Sequence, residues 1–373
     1  MSGSSLRILV VGAGISGLAA ARALRLAGFR PDVVEELPAS MVPGAGIHLP
    51  GNAARALRAL GLEAPLRPLG ERFTRQIFLD AQGRELCAVD VAALWAGVGE
   101  SRALPRADLQ RVLLSAVGGQ VRYETAVKGL DIGDRTAKVE FGDGGRAEYD
   151  LVVAADGRKS TVRGLAELGG AAQPTGQTVY RSVVTGGPAV GDWVTLLGRR
   201  CGFTIMPMGG GRLYLYADET ADAPPSDGLA RVRELYGGFG GPVPAVLDAL
   251  TKVQVARTDE VVTERWSRGP VLLVGDAAHA TSPSLAQGAA MALEDAVVLG
   301  EVLGAALHDT PGDVPAALAE YERRRRPRTG WVHERTRERD RARDVPPALR
   351  DPLLRRRGDR IFADHYRALV EPM

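Results

Sequence analysis

The sequence predicts an α/β fold in which a mostly parallel sheet with covering helices is interleaved with a mostly antiparallel sheet, followed by C-terminal helices. Three observations predict it. The chain opens with a buried-strand run, Leu6-Arg7-Ile8-Leu9-Val10-Val11, that leads into glycines and a helix. Runs of the same apolar texture recur near residues 153 and 273. Between those two, residues 177–262 change to short alternating segments joined by Gly-rich turns, the pattern of an inserted sheet with its own layer.

The elements follow in order. Helical spacing over residues 18–27 stops at Gly28, and a second strand at 32–35 completes a β-α-β unit. Residues 52–60 read as an amphipathic helix ended by Gly61, and strands at 77–79 and 85–89 flank Ala81-Gln82-Gly83. A helix is expected over 107–117, then strands at 121–124, 137–141 and 147–154. In the inserted region strands are expected at 178–184, 193–197, 202–206, 212–217 and 253–262, with one helix at 229–239. Gly209-Gly210-Gly211 reads as a hairpin turn, since no helix follows it. A buried strand at 270–274 precedes a long helix at 286–307, and the remainder is helical. This divides the chain into a discontinuous first domain (1–72, 97–176 and 263–310), a sheet domain (73–96 and 177–262) and a helical region (311–373).

Composition excludes several classes of function. Of 373 residues, 45% are hydrophobic and 25% charged, with a formal net charge of +2, so no strong attraction to nucleic acid or an anionic membrane is expected. The Arg-rich stretch from Arg323-Arg324-Arg325-Arg326 to Arg355-Arg356-Arg357 is interspersed with Glu320, Glu322, Glu334, Glu338 and Asp340, and reads as the solvated face of the last helices. Cys87 and Cys201 form no metal-ligand or CxxC spacing and read as unpaired thiols; no metal site is expected. The first apolar run is too short for a leader, and no stretch approaches the roughly 20 apolar residues of a membrane helix. A cytoplasmic protein without nucleic-acid or membrane partners is expected.

Gly12-Ala13-Gly14-Ile15-Ser16-Gly17 is a GxGxxG turn between strand and helix. Gly12 permits the tight turn, Gly14 lets backbone approach a pyrophosphate, and Gly17 allows close helix–strand packing, while the helix N-terminus offers free N–H groups. Glu35, at the end of the second strand, is spaced to accept both ribose hydroxyls of a dinucleotide; Glu36 beside it argues against a 2′-phosphate there. This turn does not choose between NAD and FAD. A second constellation does. Val271-Leu272-Leu273-Val274-Gly275-Asp276 is a buried strand ending in Gly-Asp, followed by Pro283, Gln287-Gly288-Ala289 and a long helix. Asp276 is placed to accept hydrogen bonds from a polyol, and the helix N-terminus suits a flavin carbonyl that gains negative charge.

With these motifs the sequence resembles the p-hydroxybenzoate hydroxylase family of FAD-dependent monooxygenases. The resemblance covers most of the chain and extends to Ala155-Asp156-Gly157-Arg158-Lys159-Ser160-Thr161-Val162-Arg163, to Pro105-Arg106-Ala107-Asp108-Leu109 and to Gly44-Ala45-Gly46-Ile47. It implies a Rossmann-like FAD-binding domain with non-covalent FAD held by Gly12, Gly14, Ile15, Ser16, Gly17, Glu35, Glu36, Gly46, Arg106, Val127, Asp156, Gly157, Gly275, Asp276, Gly288 and Ala289. It further implies that NADPH or NADH visits transiently, since no second GxGxxG unit exists, and that O2 is activated as a flavin C4a-hydroperoxide to insert one oxygen atom into a small aromatic or heteroaromatic substrate. Two departures stand out: Glu36 where relatives often carry Arg or Lys, and Ala286 where relatives often carry Gly.

The chemistry is flavin-borne, so no catalytic side chain is assigned. Alternation on strand 212–217 puts Tyr214 and Tyr216 on one face and Leu213 and Leu215 on the other. Tyr214 matches a family position that often lines the substrate site; Tyr216, Met206, Arg181 and Pro283 are the other pocket candidates. Each also has a bland reading, as a half-buried aromatic or a surface ion pair. His279 reads as structural rather than as a general base. An oxidase or dehydrogenase of the same fold, or a non-catalytic flavin-binding partner, are the alternatives. The halogenase branch is disfavoured because Trp193-Val194-Thr195 lacks a second Trp. Both monomer and homodimer fit this architecture.

Overall fold

The computed structural model describes residues 6–41, 45–221, 223–309 and 313–373; Gly44 of the Gly44-Ala45-Gly46-Ile47 run lies outside them. The three apolar runs are neighbours in one sheet. Ile8–Val11, Leu151–Ala154 and Val271–Leu273 pair in parallel, with Val10 opposite Val153 and Val153 opposite Leu272. Asp32–Val34 adds a parallel strand on the outer side. Their side chains are buried on both faces, as an uninterrupted apolar sequence requires. Helix Ile15–Leu26 and the long helix Gly288–Asp309 lie together against this sheet. Small residues set their closeness: a Cβ on Gly300 would stand 3.1 Å from Ala23.

The inserted sheet has seven strands in the order Gln254–Glu260, Gln173–Thr185, Arg212–Thr220, Cys201–Pro207, Trp193–Leu197, Arg75–Asp80 and Glu85–Asp90. All its pairings are antiparallel except Trp193–Leu197 with Arg75–Asp80. Its outer face buries Tyr180, Leu196, Phe203, Ile205, Leu213 and Leu215 under helices Gly228–Tyr236 and Val243–Ala249. Its inner face looks toward the parallel sheet. A small sheet of Gly46–Leu49, Arg102–Pro105 and Glu71–Arg72 lies between the two.

Several expectations are corrected. Residues 121–124 form no strand, only a single bridge from Arg122 to Val34, because Glu124 takes a left-handed backbone (φ 53°) that turns the chain away. The run 147–154 divides into Arg146–Tyr149 and Leu151–Ala154, in different sheets. Asp150 makes the break, its carboxylate accepting from the Arg7 N–H at 2.7 Å. Strand Val127–Ile132, pairing with Ala137–Phe141, was not anticipated. The helix expected over 229–239 ends at Tyr236, before Gly237-Gly238, and a second one follows Pro242.

The largest correction concerns the Arg-rich stretch. It lies on helices Val314–Ala342 and Pro347–Asp364, but it is not simply a solvated face. Arg325 is 1% exposed. It donates from Nε to Asp295 at 2.7 Å and from Nη1 to Glu294 at 2.9 Å, while Arg328 donates to Glu294 at 2.7 Å. Burial alone pushes the Asp295 carboxyl up, but His279 and Arg325 beside it outweigh that and hold it well below the usual carboxylate range. A carboxylate depressed in the folded state stabilises the fold above its unfolded value, so this contribution is complete above about pH 4 and is lost as the pH falls further. Arg325→Met removes one partner and leaves two buried carboxylates short of their cation. It is expected to cost about 3–5 kcal/mol in denaturant unfolding; a loss under about 1 kcal/mol would show that the network is not stabilised in this way.

Candidate active site

The first wall of the site is the Gly-rich turn. Gly12 has φ 101°, and a Cβ there would stand 2.5 Å from the Ala155 carbonyl oxygen; one on Gly17 would stand 1.8 Å from that of Gly12. Gly14 caps helix Ile15–Leu26, and a Cβ on it would meet only open space. Glu35 braces the turn from behind, accepting from the Ala13 N–H at 2.7 Å and from the Leu37 N–H at 3.0 Å. Glu36 is exposed, and Val127 is buried in the core at the start of its strand.

The second wall is the Gly275-Asp276 loop. Gly275 has φ 58° and ψ −139°, and a Cβ on it would meet Ser16 Oγ at 2.5 Å, so the two loops abut only because this residue is glycine. Arg163 ties the Asp156-Gly157 segment to this loop, donating to the carbonyls of Arg158 and Ala277 at 2.9 Å each. Burial raises the Asp156 carboxyl, against hydrogen bonds from Ser160 and the Val162 N–H. Burial lowers the Arg106 guanidinium, opposed by the charge of Asp276. The loop before Gly288 is fastened from a distance, Ser282 and Ser284 donating to Asp340 on the 314–342 helix. Ala286 in that loop adopts φ 53°, a left-handed conformation that glycine takes up more readily than alanine.

Between these walls and the inserted sheet lies a cavity of about 750 Å³. Gly14, Ile15, Ser16, Gly46, Arg106 and Gly157 line it, as do Asp276 and, at the open end of the long helix, Gly288 and Ala289. Gly12, Gly17, Glu35, Glu36, Val127, Asp156 and Gly275 do not line it; several of them shape the loops behind. All five pocket candidates line the cavity: Tyr214, Met206, Arg181 and Tyr216 on the opposite side, from the inserted sheet, and Pro283 on the loop before Gly288. Sheet register arranges that floor in rungs. Met206 stands opposite Tyr214, two residues on Thr195, Thr204, Tyr216 and Arg181 align, and two further on Leu197, Gly202, Asp218 and Val179 align.

Polar atoms face this space without protein partners. Ser16 Oγ, Trp193 Nε1, Tyr216 Oη and Arg181 Nε are buried and unpartnered among the described residues. So are both ring nitrogens of His48, whose imidazole sits 4.7 Å from Trp193 and 5.4 Å from Phe73 between ring centroids. Burial drives His48 down to about 3, so it is neutral. Neither His48 nor the pocket role of Trp193 was anticipated. Only their position on strands facing the cavity reveals them, since a lone His or Trp in a strand carries no motif. His279 points away, its Nε2 2.6 Å from Asp295, and does not line the cavity.

The FAD binding domain family matches residues 5–336. The chain belongs to the FAD-dependent monooxygenases. It is 32% identical to the aurachin C monooxygenase/isomerase of Stigmatella aurantiaca, over 86% of this chain and 85% of that protein. It is 33% identical to the FAD-dependent urate hydroxylase of Mycolicibacterium vanbaalenii, over 90% and 88% respectively. The structure of Klebsiella pneumoniae HpxO with FAD and uric acid superposes with a TM-score of 0.89 at 27% identity, covering 98% of this chain and 97% of that one. This is the p-hydroxybenzoate hydroxylase-like class that the motifs resemble, an oxidoreductase family, and FAD is its cofactor. The residues present fit that group: the unpartnered Ser16 hydroxyl, the open space before Gly14 and two helix N-termini all face one cavity.

Two outcomes follow for this site. Gly275→Ala is expected to destabilise the protein by more than about 1 kcal/mol and to lower its FAD content, because both the backbone and Ser16 exclude a methyl group; a variant with full FAD content and unchanged melting would refute the contact. A histidine held below its unfolded value of 6.5 takes up its proton on unfolding, so its contribution to stability falls as the pH drops below 6.5. His48→Gln is therefore expected to flatten part of the stability loss between about pH 6.5 and 4; an unaltered slope would mean that His48 is solvated.

Proposed function

We propose that the protein is an NAD(P)H-dependent flavin monooxygenase that inserts one oxygen atom into a small aromatic or heteroaromatic substrate. The observation that carries this reading is a single cavity with dinucleotide-type loops on one side and the Tyr214, Tyr216, Met206 and Arg181 floor on the other. Gly14, Ile15 and Ser16 would hold the pyrophosphate of FAD at the helix N-terminus, with Gly12 and Gly17 shaping the turn behind them, the Gly12 N–H donating to the Val34 carbonyl at 2.8 Å. Glu35 takes the ribose, with Glu36 and Val127 on the adenosine side. Asp156-Gly157 and Gly275-Asp276 take the ribityl chain, and Gly46, Arg106, Gly288 and Ala289 frame the ring system. FAD, when bound, supplies the redox and oxygen-transfer chemistry, with NADPH or NADH as transient reductant and O2 as co-substrate.

The residues of this chain do the remaining work. Buried Tyr214, Met206 and Trp193 exclude water from the reacting face. Burial raises the phenols of Tyr214 and Tyr216, so both keep their protons. The unpartnered Tyr216 hydroxyl is free to donate to a substrate oxygen. Arg181 lies opposite Tyr216, its guanidinium carbon 5.9 Å from that ring centroid, and supplies a positive charge suited to a phenolate or another anionic oxygen. Pro283 stiffens the loop at the mouth. The protein works as a monomer or homodimer in the cytoplasm.

Anaerobic mixing of the FAD-loaded enzyme with NADPH, then NADH, is expected to bleach the flavin absorbance, faster in the presence of a phenolic or heteroaromatic substrate. Absence of bleaching with either nucleotide would favour an oxidase instead. Asp276→Ala is expected to lose most of its FAD on gel filtration; stoichiometric FAD and full activity would remove Asp276 from the ribityl site.

A further inference from the structure

The cavity does not end at the pocket candidates. Below Tyr214 and Met206 it continues along the sheet past Thr195, Thr204 and Tyr216 to Leu197, Gly202 and Asp218. From Tyr214 to Asp218 is four residues of strand, about 13 Å. That is much longer than a single ring needs. At the far end the roof is the end of helix Val314–Ala342, the turn after it and the helix Pro347–Asp364, which contribute Ala342, Val345, Leu353, Leu354, Ile361 and Phe362. Gly202 has no side chain to obstruct the passage, and a Cβ there would already crowd Asp218 at 3.2 Å.

The charged groups at this end are engaged by the protein itself. Asp218 pairs with Arg343, Arg350 donates to the carbonyls of Gly198 and Leu197 at 2.6 and 2.9 Å, and the Arg339 guanidinium lies 5.0 Å over the Phe362 ring. Arg339 Nη1 and Arg343 Nε keep no partner, but each guanidinium already faces a ring or a carboxylate. Apart from the unpartnered Nδ1 of His365, what remains for a ligand is chiefly hydrocarbon. The hydrocarbon continues outside: Val345 is 38% exposed, Leu349 69% and Leu353 50%, three large apolar side chains within nine residues at the rim. Val345 and Leu353 also line the cavity, so the patch is continuous with the interior. Exposed clusters of this kind accompany binding grooves.

We propose that the substrate is amphipathic, with an aromatic head against Trp193, Met206 and Tyr214 and an aliphatic tail lying past Gly202 and Leu197 to emerge beside Leu353. This rests on the monooxygenase reading for the head and on the groove alone for the tail. It also assigns the C-terminal helices a part in choosing the substrate. The groove recognises length and hydrophobicity, not a functional group.

The test is calorimetric titration of the FAD-loaded enzyme with phenol, 4-propylphenol and 4-hexylphenol. Affinity is expected to rise about fourfold for each methylene that enters the groove. In Leu353→Asp, a half-exposed position that folding tolerates, and in Ala342→Trp, which fills the passage, the gain from the longer chain is expected to shrink at least tenfold while phenol binding is unchanged. If 4-hexylphenol binds wild type no better than phenol, or not at all, the tail groove is refuted. A chain-length dependence that survives both variants would also refute it, since the chain would then lie elsewhere. Flavin bleaching by NADPH and NADH separates the two readings: chain-length dependence without bleaching by either nucleotide would overturn the NAD(P)H-dependent reading and keep the groove, and the reverse would do the opposite.

Discussion

Two adjacent carboxylates on one buried helix organise this protein. Asp295 accepts from the Gly275 N–H, from His279 and from Arg325, and Glu294 accepts from Asn52, Arg325 and Arg328. Through these bonds the long helix holds the Gly-Asp loop, the helix that follows strand Gly46–Leu49, and the first C-terminal helix in one relative position. A buried charge is tolerated only when its partners satisfy it in good geometry. The arrangement is therefore demanding, and a rotation of helix 314–342 would leave two anions unanswered. His333, whose Nε2 donates to the His279 carbonyl at 3.0 Å, extends the same contact surface. The first C-terminal helix is thus part of the framework that holds the loops lining the cavity.

On that framework the close approach of two glycine turns defines one end of the cavity. Gly12 meets Ala155, Gly17 meets Gly12, and Gly275 meets Ser16 at distances no Cβ allows. Each contact brings a strand end to within reach of the same cavity, at the carboxyl edge of the parallel sheet where ligands of open α/β folds bind. The inserted sheet then closes the cavity from the other side. Its strict alternation sends Leu213 and Leu215 into a separate core and Tyr214 and Tyr216 into the cavity. One strand therefore anchors the sheet with one face and shapes the pocket with the other.

Much of this was legible in the sequence because the determinants are local. A GxGxxG turn, a strand ending in Gly-Asp and the alternation of residues 212–217 each follow from backbone sterics within a few residues. The candidates Tyr214, Met206, Arg181, Tyr216 and Pro283 accordingly meet in one cavity. The misses have a different origin. Glu124 turns the chain where a strand was expected, and Asp150 splits another through a side-chain bond to a distant N–H, neither visible in apolar patterning. Arg325 looked like one more surface arginine, although two acidic residues in the otherwise apolar run Ala289–Val298 signalled that a cation had to come from elsewhere.

The sequence by itself determined the fold class, the glycine turns at the strand ends and the face each strand turns inward, because these depend on side-chain period and on where only glycine fits. Tertiary structure alone decided which arginines are buried, that His48 and Trp193 share the pocket, and that the cavity runs on beneath the last helices. Those outcomes arise from contacts between segments as far apart as Trp193 and His48, or Asp218 and Arg343. Burial and charge pairing are properties of the assembled surface, and no local pattern encodes which distant surface a residue will meet.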